Sequence, residues 1–379
     1  MNKDELESIL KFHVLWINSN GSEGERANLS GANLQGANLS SAIMTGANLE
    51  GAILLEANLE KADLRSAIMT GANLSFARLV EANLEKADLT LANMRWSNLS
   101  FARLVGANLS KTNLTSAGLL ETNLSSAIME EANLSGANLS YANLFSAIMT
   151  GANLEGAILL EANLEKADLR SAIMRWSNLT SSRLVGANLE KADLRSANMV
   201  GVNLSSAIMT EAFLSKANLT SAILLDAKLE GSHLSSAIMT GANLSGANLS
   251  YANLFSAIMT GANLEGAILP DANLQGANLS SANMVGVNLS FARLVGANLE
   301  NANLSSANMV GVNLSFARLV GANLSKTNLT SAGLLETNLS SAIMTEANFS
   351  KANLTSAILL DANLKDANLN GVNYERATI

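Results

Sequence analysis

Residues 27–66 read ANLSG ANLQG ANLSS AIMTG ANLEG AILLE ANLEK ADLRS, and this period of five residues determines the architecture of the chain. A large apolar residue, here called the centre, occurs at every fifth position from Leu29 to Ile379 without a slip of phase. Of these 71 centres, 55 are Leu and 13 are Met, and the residue two places earlier is Ala in 59 of them. A period of five fits neither the 3.6-residue turn of an α-helix nor the alternation of a β-strand. The sequence therefore predicts a solenoid in which the centre and the small residue before it point inward.

The other three positions of each pentapeptide point outward in this arrangement. They are the side position, directly before the centre, and the first and second corner positions, one and two places after it. Asn fills the side position 42 times, and we expect these amides to hydrogen-bond the backbone and one another along the coils. Glycine fills the second corner position 22 times, which indicates turns with a positive φ. Bulky residues such as Lys61, Phe76 and Trp96 fill it elsewhere, and there we expect a turn without positive φ.

The distribution of charge predicts how many pentapeptides make one coil. With four per coil, residues 20 apart stack on neighbouring coils about 4.8 Å apart. Opposite charges then meet in seven places and like charges in two. The seven pairs are Lys61/Glu81, Arg65/Glu85, Lys111/Glu131, Glu155/Arg175, Arg170/Glu190, Lys191/Glu211 and Lys326/Glu346. Each exposed pair contributes only roughly 0.2–1 kcal/mol, but their number favours a coil of four pentapeptides.

Residues 1–26 lie outside the repeat and predict an N-terminal capping helix with a linker. Asn2 and Glu5 form a capping box at its start, and Gly21 suits its C-cap. Its apolar stripe should cover the first coil and consists of Leu6, Ile9, Leu10, Val14 and Ile17. Residues 27–379 then form one uninterrupted β-helix of about 17.7 coils.

The repeat A-(N/D)-L-x-x, in unbroken phase over residues 27–379, resembles the pentapeptide-repeat family. The resemblance implies an all-β solenoid, a right-handed quadrilateral β-helix, which here carries an N-terminal capping α-helix. It also implies one candidate function. The best-known members resemble duplex DNA and bind type II topoisomerases such as gyrase, which they shield from quinolones or peptide toxins.

Composition argues against most catalytic and ligand chemistry. The chain has no cysteine, and its two histidines, His13 and His233, lie far apart in the sequence. With no nucleophile arrangement or phosphate loop either, we expect no enzyme, no catalytic residue, no cofactor and no metal site. The net charge of −8 argues against direct nucleic-acid binding. No apolar run approaches the roughly 18 residues of a membrane span, and no signal peptide is present, so we expect a cytoplasmic protein.

Two regions are candidates for protein contacts. Phe76 and Trp96 occupy equivalent corner positions one coil apart, with Arg95 beside them and with Phe101 and Arg103 one side further along. Aromatic and Arg clusters are typical of binding hot spots, although the sequence does not identify the partner. The repeat also ends on a centre, so we expect an uncovered last coil around Tyr374 and Ile379, through which a homodimer could form.

Two functions from different classes fit these features. The first is a non-catalytic, rigid, rod-like scaffold that serves as a protein-interaction or self-assembly element. The alternative is a DNA mimic that binds gyrase, which requires an acidic stripe. The repeats carry 27 acidic and 21 basic residues, and the four sides, counted from the Leu29 pentapeptide, have net charges of −4, +1, −3 and 0. Because no side is strongly acidic, the sequence favours the scaffold.

Overall fold

The computed structural model describes residues 1–379, which divide into two compact units, Met1–Asn188 and Leu189–Ile379. The first unit contains the one helix, α1 (Lys3–Asn18). The repeats of both units contain isolated parallel bridges rather than longer strands, and each bridge joins equivalent side positions of neighbouring coils. Examples are Asn28↔Asn48 in the first unit and Ile238↔Ile258 in the second. Within each unit the predicted all-β solenoid with four pentapeptides per coil is confirmed. The prediction that residues 27–379 form one uninterrupted β-helix stays a prediction.

A pentapeptide that is built on a side-position Asn and lies between two other coils, such as the Leu84 pentapeptide, uses all five of its backbone N–H groups. The N–H groups of the centre and of the second corner donate to carbonyls of the following coil, and that of the side position donates to a carbonyl of the preceding coil. The N–H of the next small residue closes a β-turn on the centre, and the first-corner N–H donates to the side-position Asn. In the Leu84 pentapeptide these bonds are Leu84 N–Arg103 O 2.7 Å, Lys86 N–Val105 O 3.0 Å, Asn83 N–Ala62 O 2.9 Å, Ala87 N–Leu84 O 3.0 Å and Glu85 N–Asn83 Oδ1 3.1 Å.

The interior consists of the centres and the small residues, as predicted. Leu139 and Ala137, for example, are completely buried. Most hydroxyl groups that replace Ala in this interior find backbone partners: Ser97 Oγ donates to Met94 O at 2.7 Å and Thr112 Oγ1 donates to Leu89 O at 2.9 Å. Ser232 Oγ is buried without a partner. The hydrogen bonds of Ser97 and Thr112 offset the cost of burying a polar group. The small position therefore accepts Ser and Thr as well as Ala.

The prediction that bulky corners avoid a positive φ is wrong. Lys61, Phe76 and Trp96 have φ values of 57°, 57° and 58°, close to the 64° of Gly71. The reason lies in the bond between coils, because the N–H of the second corner donates to the next coil, as Phe76 N does to Arg95 O at 2.9 Å. A different turn would point this N–H elsewhere and leave a carbonyl of the next coil unpaired. The left-handed conformation costs a non-glycine residue roughly 1–2 kcal/mol, and the repeated bonds between coils hold it in place.

The N-terminal helix starts as predicted. Asn2 is its N-cap, and Asn2 Oδ1 accepts a hydrogen bond from Glu5 N–H at 2.8 Å. The C-cap is Ser19 rather than Gly21. Gly21 lies two places further on with a φ of 88°, where its N–H donates to Trp16 O at 2.8 Å. The glycine therefore closes the turn that leaves the helix.

Histidine, rather than an aliphatic residue, is the most deeply buried contact of α1. Leu6 of the predicted stripe is buried, but His13 is completely inaccessible. His13 Nδ1 accepts a hydrogen bond from the Ala27 N–H at 3.0 Å, and its ring stacks on Trp16 with centroids 5.7 Å apart. His13 thus satisfies the first backbone N–H of the repeat region, where no preceding centre is present to accept it.

Ion pairs on the surface support the coil of four pentapeptides. Six of the predicted pairs lie within one unit, and five of them form at 2.6–3.9 Å: Lys61–Glu81, Lys111–Glu131, Glu155–Arg175, Lys191–Glu211 and Lys326–Glu346. The predicted pair Arg65/Glu85 does not form.

Arg65 and Glu85 each have a nearer partner. Arg65 binds Asp63 of its own pentapeptide at 2.6 Å, and Glu85 lies 3.8 Å from Arg103. The same diagonal, from a side position to a first corner of the preceding coil, joins Arg78 to Glu60, Arg183 to Glu165 and Arg318 to Glu300. These diagonal pairs join residues 18 apart in the sequence, so a spacing of 20 does not predict them.

Candidate protein-binding surfaces

The second corner positions present the large aromatic side chains to solvent. A left-handed residue at a corner directs its Cβ away from the coil, and a Cβ added to Gly46 or Gly286 would meet no atom within 4 Å. Phe76, Trp96 and Trp176 occupy such corners and are 52%, 57% and 61% exposed. Apolar rings in open corner positions contribute little to the core, which makes them candidates for contact with another molecule.

The predicted patch is assembled only in part. Phe76 and Trp96 lie on the same corner of successive coils, and the bond from Phe76 N to Arg95 O places Arg95 beside them. Phe101 lies on the next corner and is exposed. Arg103 belongs to the following side, where it pairs with Glu85 at 3.8 Å. Phe76, Arg95 and Trp96 thus form a compact group, with Phe101 at its margin and Arg103 engaged elsewhere.

Ring stacking occurs at a different place from the one suggested by the sequence. Phe213 and His233 form a bridge pair on the second side of the second unit, and their rings are stacked with centroids 4.9 Å apart and an interplanar angle of 7°. Side positions point straight out of the sheet, so rings on neighbouring coils become parallel, whereas corner rings such as those of Phe76 and Trp96 are not held in bridge pairs. His233 is exposed. Side positions 20 residues apart lie next to each other on neighbouring coils, and this spacing applied to Phe213 and His233 predicts the stack.

The last coil of the second unit has an uncovered apolar face. A cavity of about 280 Å³ is lined by Leu354, Leu359, Leu364, Leu369, Tyr374 and Ile379. Tyr374 and Ile379 are 57% and 84% exposed, in contrast to the completely buried centres of the preceding coils. The centre N–H groups of Leu364 and Leu369 also lack the bond to a following coil that Leu354 N makes to Asn373 O at 2.6 Å. This face therefore combines apolar side chains with unpaired backbone donors.

Many charged groups of the repeats form surface pairs. The Arg65 guanidinium donates to both carboxylate oxygens of Asp63, at 2.8 and 2.6 Å, and this bonding lowers the pKa of the Asp63 carboxyl. Asp168 and Arg170 repeat the arrangement, and the pKa of Asp168 is lowered for the same reason. No group of three or more acidic or histidine side chains is placed to hold a metal ion. The protein has no helix with the length and apolar character that crossing a membrane requires.

The sequence matches the family model described as "Pentapeptide repeats (8 copies)". The matches overlap and cover residues 25–254 and 257–371. Among curated proteins, none matches the chain.

Several solved structures are similar to the chain. HetL, a pentapeptide repeat protein involved in heterocyst differentiation regulation from the cyanobacterium Nostoc sp. strain PCC 7120, is 33% identical over 62% of this chain and 88% of HetL, with a TM-score of 0.32. QnrB1, a plasmid-mediated fluoroquinolone resistance protein, is 21% identical over 44% of this chain and 85% of its own, with a TM-score of 0.28. Rfr23 from the cyanobacterium Cyanothece 51142 is 28% identical over 32% of this chain and 90% of its own, with a TM-score of 0.18.

Proposed function

The chain belongs to the pentapeptide-repeat family, whose fold is the right-handed quadrilateral β-helix, and on that premise we propose that it is a non-catalytic, rigid scaffold that binds proteins through its corners. The observation that carries the proposal is the division of labour between positions. Centres and small residues are constant and buried, whereas aromatic rings are held half exposed at left-handed corners. Such corners cost conformational energy that the rings do not recover by packing in the core.

The group of Phe76, Arg95 and Trp96 is the first surface that we assign to this role. Two exposed rings next to a guanidinium combine apolar area with a planar donor, which is the composition of interface hot spots. Phe101 widens the group towards the next corner. Arg103 contributes less, because it already has an acidic partner.

Self-association through the last coil forms the second part of the proposal. A second copy that met this face end to end would cover Tyr374 and Ile379 and would supply partners to the unpaired backbone groups. Both copies would use the same surface, so the product would be a closed two-fold homodimer. We place this scaffold in the cytoplasm, consistent with a chain that has no cysteine.

The alternative role, gyrase binding by DNA mimicry, requires acidic groups that project free charge. Several first-corner acids instead lie against arginines of the next coil, as in Arg78–Glu60, Arg183–Glu165 and Arg318–Glu300. Pairing of this kind reduces the field that a DNA-binding enzyme would sense. The surface chemistry therefore supports the scaffold.

A supercoiling assay with purified gyrase tests the proposal. We expect micromolar protein to leave supercoiling unchanged and to give no protection against a quinolone. Inhibition or protection would overturn the scaffold in favour of the DNA mimic. A variant with Phe76→Ser and Trp96→Ser serves as a control, because these exposed residues can be changed without opening the core.

A further inference from the structure

The third corner of the first unit, which follows the third side, carries an alternating row of acidic and aromatic side chains. Its second-corner residues, on successive coils, are Glu81, Phe101, Glu121, Tyr141 and Glu161, here called the third edge. The backbone N–H of each donates to a carbonyl of the following coil at 2.8–3.1 Å. These bonds hold the five side chains one above another, in steps of about 4.8 Å. The three acids are consequently about 9.6 Å apart, with a ring midway between each two.

Apolar residues accompany this row on its inner flank. Val80, Leu120 and Leu160 occupy the first corner positions directly before the three acids and are partly exposed. Ser140, which lies between Leu120 and Leu160 in the register, is only 7% exposed. Phe101 and Tyr141 are each 47% exposed. The third edge is thus a narrow amphipathic strip in which carboxylates alternate with rings, flanked by a row in which Val80, Leu120 and Leu160 alternate with Ser100 and Ser140.

Two of the three carboxylates have no cationic partner. Glu81 lies 3.7 Å from Lys61, but neither Glu121 nor Glu161 forms an ion pair. Acids at other second corners, such as Glu131, Glu211 and Glu346, are each 3.7–3.9 Å from a lysine of the neighbouring coil. The third edge therefore projects unpaired negative charge from Glu121 and Glu161, two coils apart, whereas Glu131, Glu211 and Glu346 are neutralised by lysines.

We propose that the third edge binds an amphipathic α-helix of a partner protein, in which Lys or Arg alternates with apolar residues along one stripe. An α-helix returns to the same stripe at every seventh position, or about 10.5 Å, close to the roughly 9.6 Å between alternate coils. The residue three or four places after a cation lies midway, where it meets Phe101 or Tyr141. An extended strand presents residues of the same face about 6.7 Å apart, a spacing that does not match the roughly 9.6 Å between the acids. Spacing and charge together select a basic helix.

The contacts of such a helix explain why rings and acids alternate. Each cation reaches a carboxylate and lies over the face of a neighbouring ring, so that ion pairing and cation–π attraction act on the same group. The apolar residues of the stripe cover the rings together with Leu120 and Leu160. This inference rests on the proposed scaffold function but uses a surface other than the Phe76–Trp96 group and the last coil.

The test uses three synthetic peptides with the full chain. The probe is a helix-forming peptide of about 15 residues with Lys at every seventh position and Leu midway between. A second peptide has the same composition with the lysines spread around the helix, and a third carries a central proline that prevents helix formation. Fluorescence anisotropy at low salt measures each dissociation constant. We expect the probe to bind more tightly than both controls, with an affinity that falls as salt is added. Equal binding of all three peptides would overturn the inference.

Variants then locate the site on the third edge. Phe101→Ser with Tyr141→Ser should raise the dissociation constant of the probe at least roughly thirtyfold. Glu121→Gln with Glu161→Gln should raise it about tenfold and weaken its salt dependence. Matched controls are Phe291→Ser with Phe316→Ser, which remove rings from other corners, and Asp226→Asn with Glu265→Gln, which remove the same charge from another side. Thermal melts of all variants should match that of the unmodified protein.

The result contradicts the proposal if the control variants weaken binding as much as the third-edge variants. Absence of probe binding also contradicts it, even if the gyrase assay and the oligomeric state support the scaffold. The reverse outcome, in which the probe binds the third edge but the protein protects gyrase, would overturn the proposed function and leave the binding surface in place.

Discussion

Asparagine at the side position completes the hydrogen bonding of its pentapeptide. Asn163 Oδ1 accepts from the Glu165 N–H at 3.2 Å, and Asn163 Nδ2 donates to Asn143 Oδ1 at 3.2 Å. The first bond closes the corner within one pentapeptide, and the second joins two coils. The predicted role of these amides in backbone and ladder bonding is confirmed. It explains why Asn, which disfavours ordinary strands, is so frequent in this β-structure.

The substitution Asn163→Ala removes both bonds. We expect it to lower the free energy of unfolding by about 1–2 kcal/mol, since the Glu165 N–H loses its partner. Asn163→Asp is the matched control, because it keeps the oxygen that accepts from Glu165 and loses only the donor to Asn143. Urea denaturation of the three proteins checks the expectation. Equal losses for Ala and Asp would show that the bond within the corner contributes nothing.

Gly24 lies where the linker passes close to α1. Gly24 has a φ of 74°, and a Cβ added there would lie 2.2 Å from the Phe12 carbonyl oxygen. The Glu25 N–H donates to the same carbonyl at 3.2 Å, so the chain must pass close to the helix at this point. The linker and α1 can keep this contact only if residue 24 has no side chain.

Gly24→Ala should therefore detach α1 from the first coil. The expected result is a loss of protection from amide hydrogen exchange in residues 3–18, while the repeats stay protected. Gly286→Ala is the control, because its φ is 64° but its added Cβ meets nothing within 4 Å. If the amides of α1 are equally protected in both variants, the close approach at Gly24 does not hold α1 against the first coil.

His13 makes the attachment of α1 sensitive to pH. The bond from the Ala27 N–H requires an unprotonated Nδ1. Burial and the charge of Arg26 lower the pKa of His13 from its usual value of 6.5, although the Thr45 carbonyl opposes the shift. The detached state then binds the proton more readily, so attachment is fully stable above about pH 6.5 and weakens as the pH falls through that value.

Fluorescence of Trp16, which stacks on His13, measures this attachment. Trp96 and Trp176 are the other two tryptophans, and replacing both by Phe leaves Trp16 as the single reporter. The signal should change between neutral pH and mildly acidic pH. In His13→Asn, whose amide oxygen can still accept from Ala27, it should stay constant. A change of the same size in this variant would assign the transition to other groups.

The period of five residues and the spacing of the charges predicted the elements. Prediction from the sequence failed where contacts between distant residues determine the local conformation. The phase of five placed Leu139 and Ala137 inside, because burial of every centre leaves no other register. The left-handed corners at Lys61 and Phe76 were missed, because local preference argues against them and only the bonds between coils impose them. His13 was missed for a related reason, since a lone histidine in a helix gives no sign that it will meet an unpaired N–H of the first coil. At the candidate surfaces, the corner of Phe76 and Trp96 could be predicted, but the pairing of Arg103 with Glu85 could not.

The surface of the whole molecule differs between the last coil and the other coils. The cavity lined by Leu369, Tyr374 and Ile379 exposes apolar area of a kind that the preceding coils of the second unit bury against their neighbours. Tyr374→Lys with Ile379→Lys adds charge to this face, and charged groups resist removal from water. Light scattering at tens of micromolar should therefore find a dimer for the unmodified protein and a monomer for the variant. A monomer in both cases would contradict self-association through this coil.

Within each unit, equivalent positions four pentapeptides apart are neighbours, so that each surface is assembled from every twentieth residue. Because the chain has no cysteine, engineered pairs of cysteines report directly which positions are neighbours. Ile238 and Ile258 form a parallel bridge on the third side of the coil, and their separation of about 4.8 Å lies within the range that a disulfide spans. Mild oxidation should rapidly form a disulfide in Ile238→Cys/Ile258→Cys and none in Ile238→Cys/Asn263→Cys, where the second position lies one pentapeptide beyond Ile258. A disulfide in the second pair but not in the first would contradict the coil of four pentapeptides.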